Sequence, residues 1–455
     1  MILTLVSLLA AAPIINAQNH LVRNQTGPCI PGPNATDARH ERVVLKDFRA
    51  ITGKTITCVE NFSASYPCAN INLESFIPLK DLNDGIAEKA NDIWGWTSPN
   101  TGKEYAIIGL EGGTSFVSLE DPNNPVVLGL LPTRTKYSFW RDMKTYGNYV
   151  FIVSEAPSYG MQIFDLTNLD NNDGSSFSFY DETVHYDQFG SAHNIAINED
   201  SGYAYIVGAY EGTNCNAGLH MVNILNPLEP TFAGCYSEQG YTHDVQCVNY
   251  DGPDKNFIGR EICFASNEDK LDIVDVSNKT NSVLISTFVY ENARYVHQGW
   301  LTEDQHYFLI DDEQNEYFRD DFTTTIICDV SNLENPTLKG THVSSTKAID
   351  HNLYVKGNYV YEANYRAGLR VLELSEVSEG RLIEVGYFDI FPENDESKFN
   401  GAWSSYPYFK SGIIIMSGIE QGLFVLRVGA SKNIPVDCFR FSSFFGFLRD
   451  LILSR

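Results

Sequence analysis

The chain has 455 residues, 43% of them hydrophobic and 13% aromatic, with 34 glycines, which is enough apolar material for a large core and excludes a disordered chain. Its 58 acidic against 32 basic residues leave a formal net charge of −26. Phosphate binding needs concentrated Lys and Arg, so nucleic acid is excluded as a partner and anionic membrane surfaces are disfavoured; the acidity itself reads as solubility in a secreted setting.

From the N-terminus, MILTLVSLLAAAPIINAQ has an apolar stretch of signal-peptide length, without a positively charged start, ending in Ile15-Asn16-Ala17. Residues 1–17 are therefore predicted to be a removed signal peptide. Sequons at Asn24, Asn34, Asn61 and Asn278 fit glycosylation on a secretory route. Residues 18–72, rich in Pro, Asn and Cys, predict an irregular, disulfide-stapled extension. Among nine cysteines, Cys58 with Cys68, Cys215 with Cys235, and Cys247 with Cys263 have the spacing of local disulfides, which an oxidising compartment allows. No CxxC pair occurs, Cys328 in TTTIICDV reads as a buried thiol, and Cys29 with Cys438 is left as a long-range pair.

Length alone suggests about three domains, but an internal repeat overrides it. The tetrapeptide GNYV stands at Gly147 and again at Gly357. Sliding that register along the chain gives units starting near 91, 141, 193, 243, 297, 351 and 400. Each unit holds short β-branched and aromatic runs separated by turn residues: first HNIAIN or HNLYVK, then YVFIVS or YFLIDD, then MQIFDL or LDIVDV, then VVLGLL or TLKGTH. Four such runs make a four-stranded antiparallel sheet, and seven units make an all-β, seven-bladed propeller over residues 73–428. The last unit lacks its fourth run; residues 74–82, ESFIPLKDL, are predicted to supply it by pairing with residues 423–428, closing the ring. No later segment is long and apolar enough to span a membrane. The tail 429–455 is apolar but interrupted by Arg and Asp, and predicts an amphipathic segment packed on the propeller, with a membrane-surface or partner contact as the alternative.

The first residues of the units are Asn91, Arg141, His193, His243, His297, His351 and Asn400, and the second are Asp92, Asp142, Asn194, Asp244, Gln298, Asn352 and Gly401. First strands of propeller blades line the central channel, so four of the ten histidines should meet at one channel mouth. Glu155, Glu268, Asp311, Asp312, Glu313 and Glu362, at the ends of second runs, should reach the same face. Three readings stay open. The polar residues bridge neighbouring blades; or His193, His243, His297 and His351 hold a divalent metal ion, with Glu155 or Glu268 as supporting groups; or Arg141, Asp142, Asp244, Gln298 and Asn352 bind a metal-free protein, glycan or small-molecule ligand. Trp94, Trp96, Trp140, Trp300 and Trp403 recur in the same part of the repeat and suit interblade packing or ligand stacking. DNNDG at Asp170 lacks the EF-hand spacing and reads as a loop. No nucleophile elbow, phosphate loop, zincin helix or dinucleotide fingerprint is present. The pattern favours a binding scaffold, with a metal-dependent, hydrolase-like enzyme as the alternative.

Seven segments, among them DIWGWTSPNTGKEYAIIGLEGGTSFVSLEDPNNPVVLG, YTHDVQCVNYDGPDKNFIGREICFASNEDKLDIVDVS and AIDHNLYVKGNYVYEANYRAGLRVLEL, make residues 68–428 resemble the choice-of-anchor B family of secreted β-propellers with LVIVD-type repeats. That resemblance implies an extracellular protein, retained at the cell surface by a C-terminal anchor, with no established reaction. The tail here matches no recognisable sorting signal.

Overall fold

The structure is a computed structural model that describes residues 48–86 and 88–429. The expected signal peptide, Asn24, Asn34, Cys29, Cys438 and the tail from 430 onward lie outside the described residues.

Seven antiparallel sheets follow one another round a central channel. Their inner strands are Ala90–Thr97, Arg141–Tyr146, Asn194–Asn198, Asp244–Asn249, Val296–Leu301, Asn352–Lys356 and Ala402–Tyr406, each beginning within two residues of the repeat starts read from the sequence. The duplicated GNYV is a two-residue hairpin loop in blades 2 and 6, where Tyr146 pairs with Tyr149 and Lys356 with Tyr359. Gly147 and Gly357 sit there at φ +57° and +60°, a conformation that glycine adopts without steric cost.

The hydrophobic core is a ring of interblade interfaces. Phe151, Val153, Met161 and Ile163 of blade 2 pack against Ile195, Ala204, Ile206 and Val222 of blade 3, and Phe264 stacks on Phe308 between blades 4 and 5 with ring centroids 5.1 Å apart. The two faces of each strand serve two different neighbours, which is why second and third runs are apolar almost throughout.

The N-terminal strand closes the ring in blade 7, with corrected bounds. It runs Ile71–Pro78, pairing Ser75–Pro78 with Val425–Gly422 and Ile71–Leu73 with Val428–Leu426. Leu79–Leu82, expected within the strand, form a helical turn after Pro78. The described part of the extension forms a small hairpin and adds to the outer edge of blade 6 through Cys68 and Phe388. Blade 2 takes its outer strand, Val184–Tyr186, only after an inserted loop, and Ser178–Phe179 from that loop pairs in parallel with blade 1. Disulfides join Cys58 to Cys68, Cys215 to Cys235 and Cys247 to Cys263, and Cys328 is a buried free thiol. Asn61 and Asn278 are exposed. No helix of the described residues is long and apolar enough to cross a membrane.

Candidate functional site

Repeat position one brings the four histidines into a single ladder at a channel mouth. Ring centroids are 4.1 Å apart for His193 and His243, 4.2 Å for His243 and His297, and 4.5 Å for His297 and His351. The ladder has an interblade function: His243 Nδ1 donates to the His297 carbonyl at 2.9 Å and His351 Nδ1 to the Trp403 carbonyl, each one blade on. His193 Nδ1 instead meets Glu155 Oε1 at 2.6 Å. A ring whose Nδ1–H is held by a carbonyl presents its Nε2 lone pair, the tautomer that a metal-ligating histidine needs.

Burial, reinforced by the neighbouring imidazoles, holds His243 and His297 well below the ordinary histidine range, and burial brings His351 down to about 4. These rings are therefore neutral near pH 7. Glu313 lies on the far side of the ladder, with Oε1 3.8 Å from His351 Nε2 and accepting from Tyr365 Oη at 2.8 Å; burial raises its carboxyl to about 7. One ligand atom from each of His297, Glu313 and His351 lies within 4.8 Å of the others. Among the described residues His193 and His243 join no such set. The cavity among the histidines, Trp140, Arg141 and Trp403 holds about 20 Å³, room for one water or ion.

Arg141 borders that cavity, but its guanidinium is committed elsewhere: Nε donates to the Leu110 carbonyl at 3.1 Å, Nη1 to Tyr159 Oη at 2.6 Å and Nη2 to Thr133 Oγ1 at 3.0 Å. Repeat position two forms a second polar layer deeper in the channel. Asn194 Nδ2 donates to Asp244 Oδ2 at 2.9 Å, Gln298 both donates to and accepts from Leu353, and Asn352 Nδ2 donates to the Trp403 carbonyl at 3.2 Å. Lys144 bridges Asp142 at 2.9 Å and Asp92 at 3.3 Å. Burial opposes its charge, but the two carboxylates outweigh that and raise its pKa; Asp244, further along, is pushed up to about 7 by burial.

The tryptophans divide between the two ends. Trp140 and Trp403 flank the histidines, whereas Trp94 and Trp300 meet Tyr354 around a pocket of about 230 Å³ at the opposite mouth. Trp96 is buried and donates to the Gly147 carbonyl. Of the second-run acids, Glu155 reaches His193 and Glu313 reaches His351, while Glu268 bridges Val296 through its backbone and Glu362 accepts from Thr325 and Asn364. Asp170 ties Ser98 and Tyr105 of blade 1 to the loop of blade 2.

A family model described as the LVIVD repeat matches residues 262–289, 322–343 and 350–388, in blades 4, 5 and 6. It supports a propeller repeat family. No curated protein matches the chain. Similar solved structures include the Cps50 (Swd1) β-propeller domain of Myceliophteria thermophila, at 12% identity over 71% of this chain and 93% of that one, with a TM-score of 0.46. A protein from Lactobacillus plantarum follows at 13% identity, 73% and 89% coverage and TM-score 0.46, and a functionally unknown protein from Desulfotomaculum acetoxidans at 11%, 73% and 97%, and 0.46.

Proposed function

We propose that the protein is an extracellular binding scaffold, of the choice-of-anchor B type, whose interaction centre is the His-bearing channel mouth, and that this mouth holds one divalent transition-metal ion through His297, His351 and Glu313. The observation that carries the reading is the convergence of two imidazoles and one carboxylate within 4.8 Å. Two nitrogens and one carboxylate oxygen suit zinc, manganese or iron; the His351 tautomer is pinned by its Nδ1 bond to the Trp403 carbonyl, whereas His297 Nδ1 has no hydrogen-bond partner. A cavity of about 20 Å³ has room for a single ion or water and none for an organic substrate, which favours a scaffold over a metal-dependent hydrolase. Three disulfides, the acidic composition and exposed Asn61 and Asn278 support an extracellular setting.

Metal analysis of the secreted protein, purified without a His-tag, should find about one equivalent, reduced in His351→Ala and Glu313→Gln. Metal-free wild type that gains no stability on adding zinc, manganese or iron would leave the ladder as interblade hydrogen bonding alone.

A second reading rests on the 230 Å³ pocket at the other mouth. Half-buried Trp300 there offers a ring face to a sugar beside the buried Trp94 and Tyr354, with Gln246 and Glu199 nearby for its hydroxyls. Glycan-array binding lost in Trp300→Ala supports this reading, and binding that survives the substitution removes it.

A further inference from the structure

Beside the histidine ladder, blades 5 and 6 bury a group of oxygens that the protein does not satisfy. Asp311 is the last residue but one of the second strand of blade 5, Glu316 lies on the short helix Asn315–Arg319 that follows, Asp350 precedes the first strand of blade 6, and Asn364 follows its second strand. All four are at 0% exposure. Both carboxylate oxygens of Asp311, both of Glu316, Oδ1 of Asp350 and Oδ1 of Asn364 lack a hydrogen-bond partner. An orphaned buried polar atom costs about 1–3 kcal/mol, more when charged, so six in one region call for a common explanation.

The neighbouring acids do not share this condition. Asp312 accepts from Tyr290 Oη, Arg294 N and Tyr295 N, and Glu362 accepts from Thr325 and Asn364. The three acids are also near one another, and Asn364 joins the same region through its bond to Glu362. Asp350 Oδ2 accepts from Asp312 N at 3.0 Å, and Glu316 and Asp311 each oppose ionisation of Asp350 by repulsion. No Lys or Arg pairs with any of the three carboxylates among the described residues.

We propose that Asp311, Glu316, Asp350 and Asn364 form a calcium site that locks blade 5 to blade 6. The donors are all oxygen, three carboxylates and one amide, which is the chemistry of a hard cation and offers none of the nitrogen or sulfur that zinc selects. Six oxygens meet the lower coordination number of calcium. Asp311, Glu316 and Asp350 do not form a set as tight as that of His297, Glu313 and His351, so binding draws the side chains inward. An open groove of about 620 Å³ reaches Glu316 alongside Tyr317, Phe322, Thr346 and Lys347; because Glu316 is fully buried, an ion enters from it only as side chains move. Extracellular sites of about 10⁻⁴–10⁻³ M affinity are common for calcium, so a site assembled in this way need not be tight.

The test uses full-length secreted protein dialysed against EGTA. Calorimetric titration with calcium chloride should show one saturable site, and the melting temperature should rise with calcium over the same range. Glu316→Gln and Asp350→Asn should weaken the calcium response at least about tenfold, whereas His351→Ala should keep it, which separates this site from the histidine centre. Wild type with no heat and no thermal shift up to about 10 mM calcium, above the weakest extracellular sites, overturns the proposal. So does a calcium response unchanged in both amide variants. If those variants do not fold, Asn364→Ala replaces them; a response it leaves intact also counts against the site as drawn.

Discussion

At the residue scale, His220 separates a buried histidine from an available one. Its ring lies against Tyr186, Phe189 and Phe232, with Nδ1 on Thr213 Oγ1 at 2.9 Å and Nε2 on Tyr186 Oη at 3.0 Å. Burial lowers its pKa to about 4. A histidine whose folded pKa lies below its unfolded value takes up a proton more readily when unfolded, so stability falls as pH drops from about 6.5 towards about 4. The loss is on the order of 3 kcal/mol for this group. Buried carboxyls with raised pKa, such as Glu88 at about 7, act in the opposite sense over part of that window, so the comparison must be differential. Melting temperatures of wild type and His220→Gln between pH 7 and pH 4 should converge as pH falls; parallel curves would show that His220 does not titrate with unfolding. The sequence singled out His193, His243, His297 and His351 because they recur at one repeat position, and they do meet. His220 has no such regularity. Nor do Glu316, Asp350 and Asn364, whose burial depends on where a short helix and two strand ends fall, which periodicity does not reveal.

At the scale of the element, every outer strand except the short Val184–Tyr186 of blade 2 carries one small residue where the neighbouring chain comes closest. Opposite the irregularity of the third strand, Phe116, Met221, Ile327 and Val371 face Gly129, Gly234, Gly340 and Gly386. A Cβ on Gly129, Gly234 or Gly340 would lie 2.0 Å from the Ser178 carbonyl oxygen, 1.8 Å from that of Lys279 or 2.3 Å from that of Gly380. In the other two cases the residue is serine: Ser286 Oγ donates to the Leu333 carbonyl at 2.5 Å and Ser75 Oγ to the Pro122 carbonyl at 2.7 Å. Either the residue has no side chain or the side chain bonds the carbonyl it meets. Gly234→Ala should therefore force blade 3 from blade 4 and cost about 1–3 kcal/mol, read by urea denaturation, while Gly259→Ala, with nothing within 4 Å but φ +80°, should cost only the strain of its backbone, about 1 kcal/mol or more. Equal losses would mean that crowding at Gly234 is relieved by local shift. The inner strands were legible to within two residues because turn signals and apolar runs repeat there. The outer strands were less so: half-exposed and polar, they lack a strong pattern, and blade 2 reaches its outer strand only past an insertion that no repeat could anticipate.

For the whole molecule, the question is what the closing strand contributes. Ile71–Pro78 pairs along the full length of Gly422–Val428, Glu74 meets Arg427 at 2.6 Å, and Phe76 packs on Phe424 with centroids 4.5 Å apart. Around Phe76 and Phe424 one cluster gathers Phe388 of blade 6, Met416 of blade 7 and Tyr66 of the extension. Blade 7 is thus completed by the start of the chain while its partners come from the end, and opening the ring would expose a sheet edge together with this cluster. Phe76→Ala should cost roughly 3–5 kcal/mol, as truncations of buried phenylalanine do, and unfolding should remain one cooperative transition because both neighbouring blades lose their closure together. Hydrogen exchange gives the sharper reading. If the strand locks the ring, the amides of residues 71–77 exchange as slowly as those of the inner strand of blade 4; rapid exchange at 71–77 beside a protected blade 4 would mean that six blades hold without it.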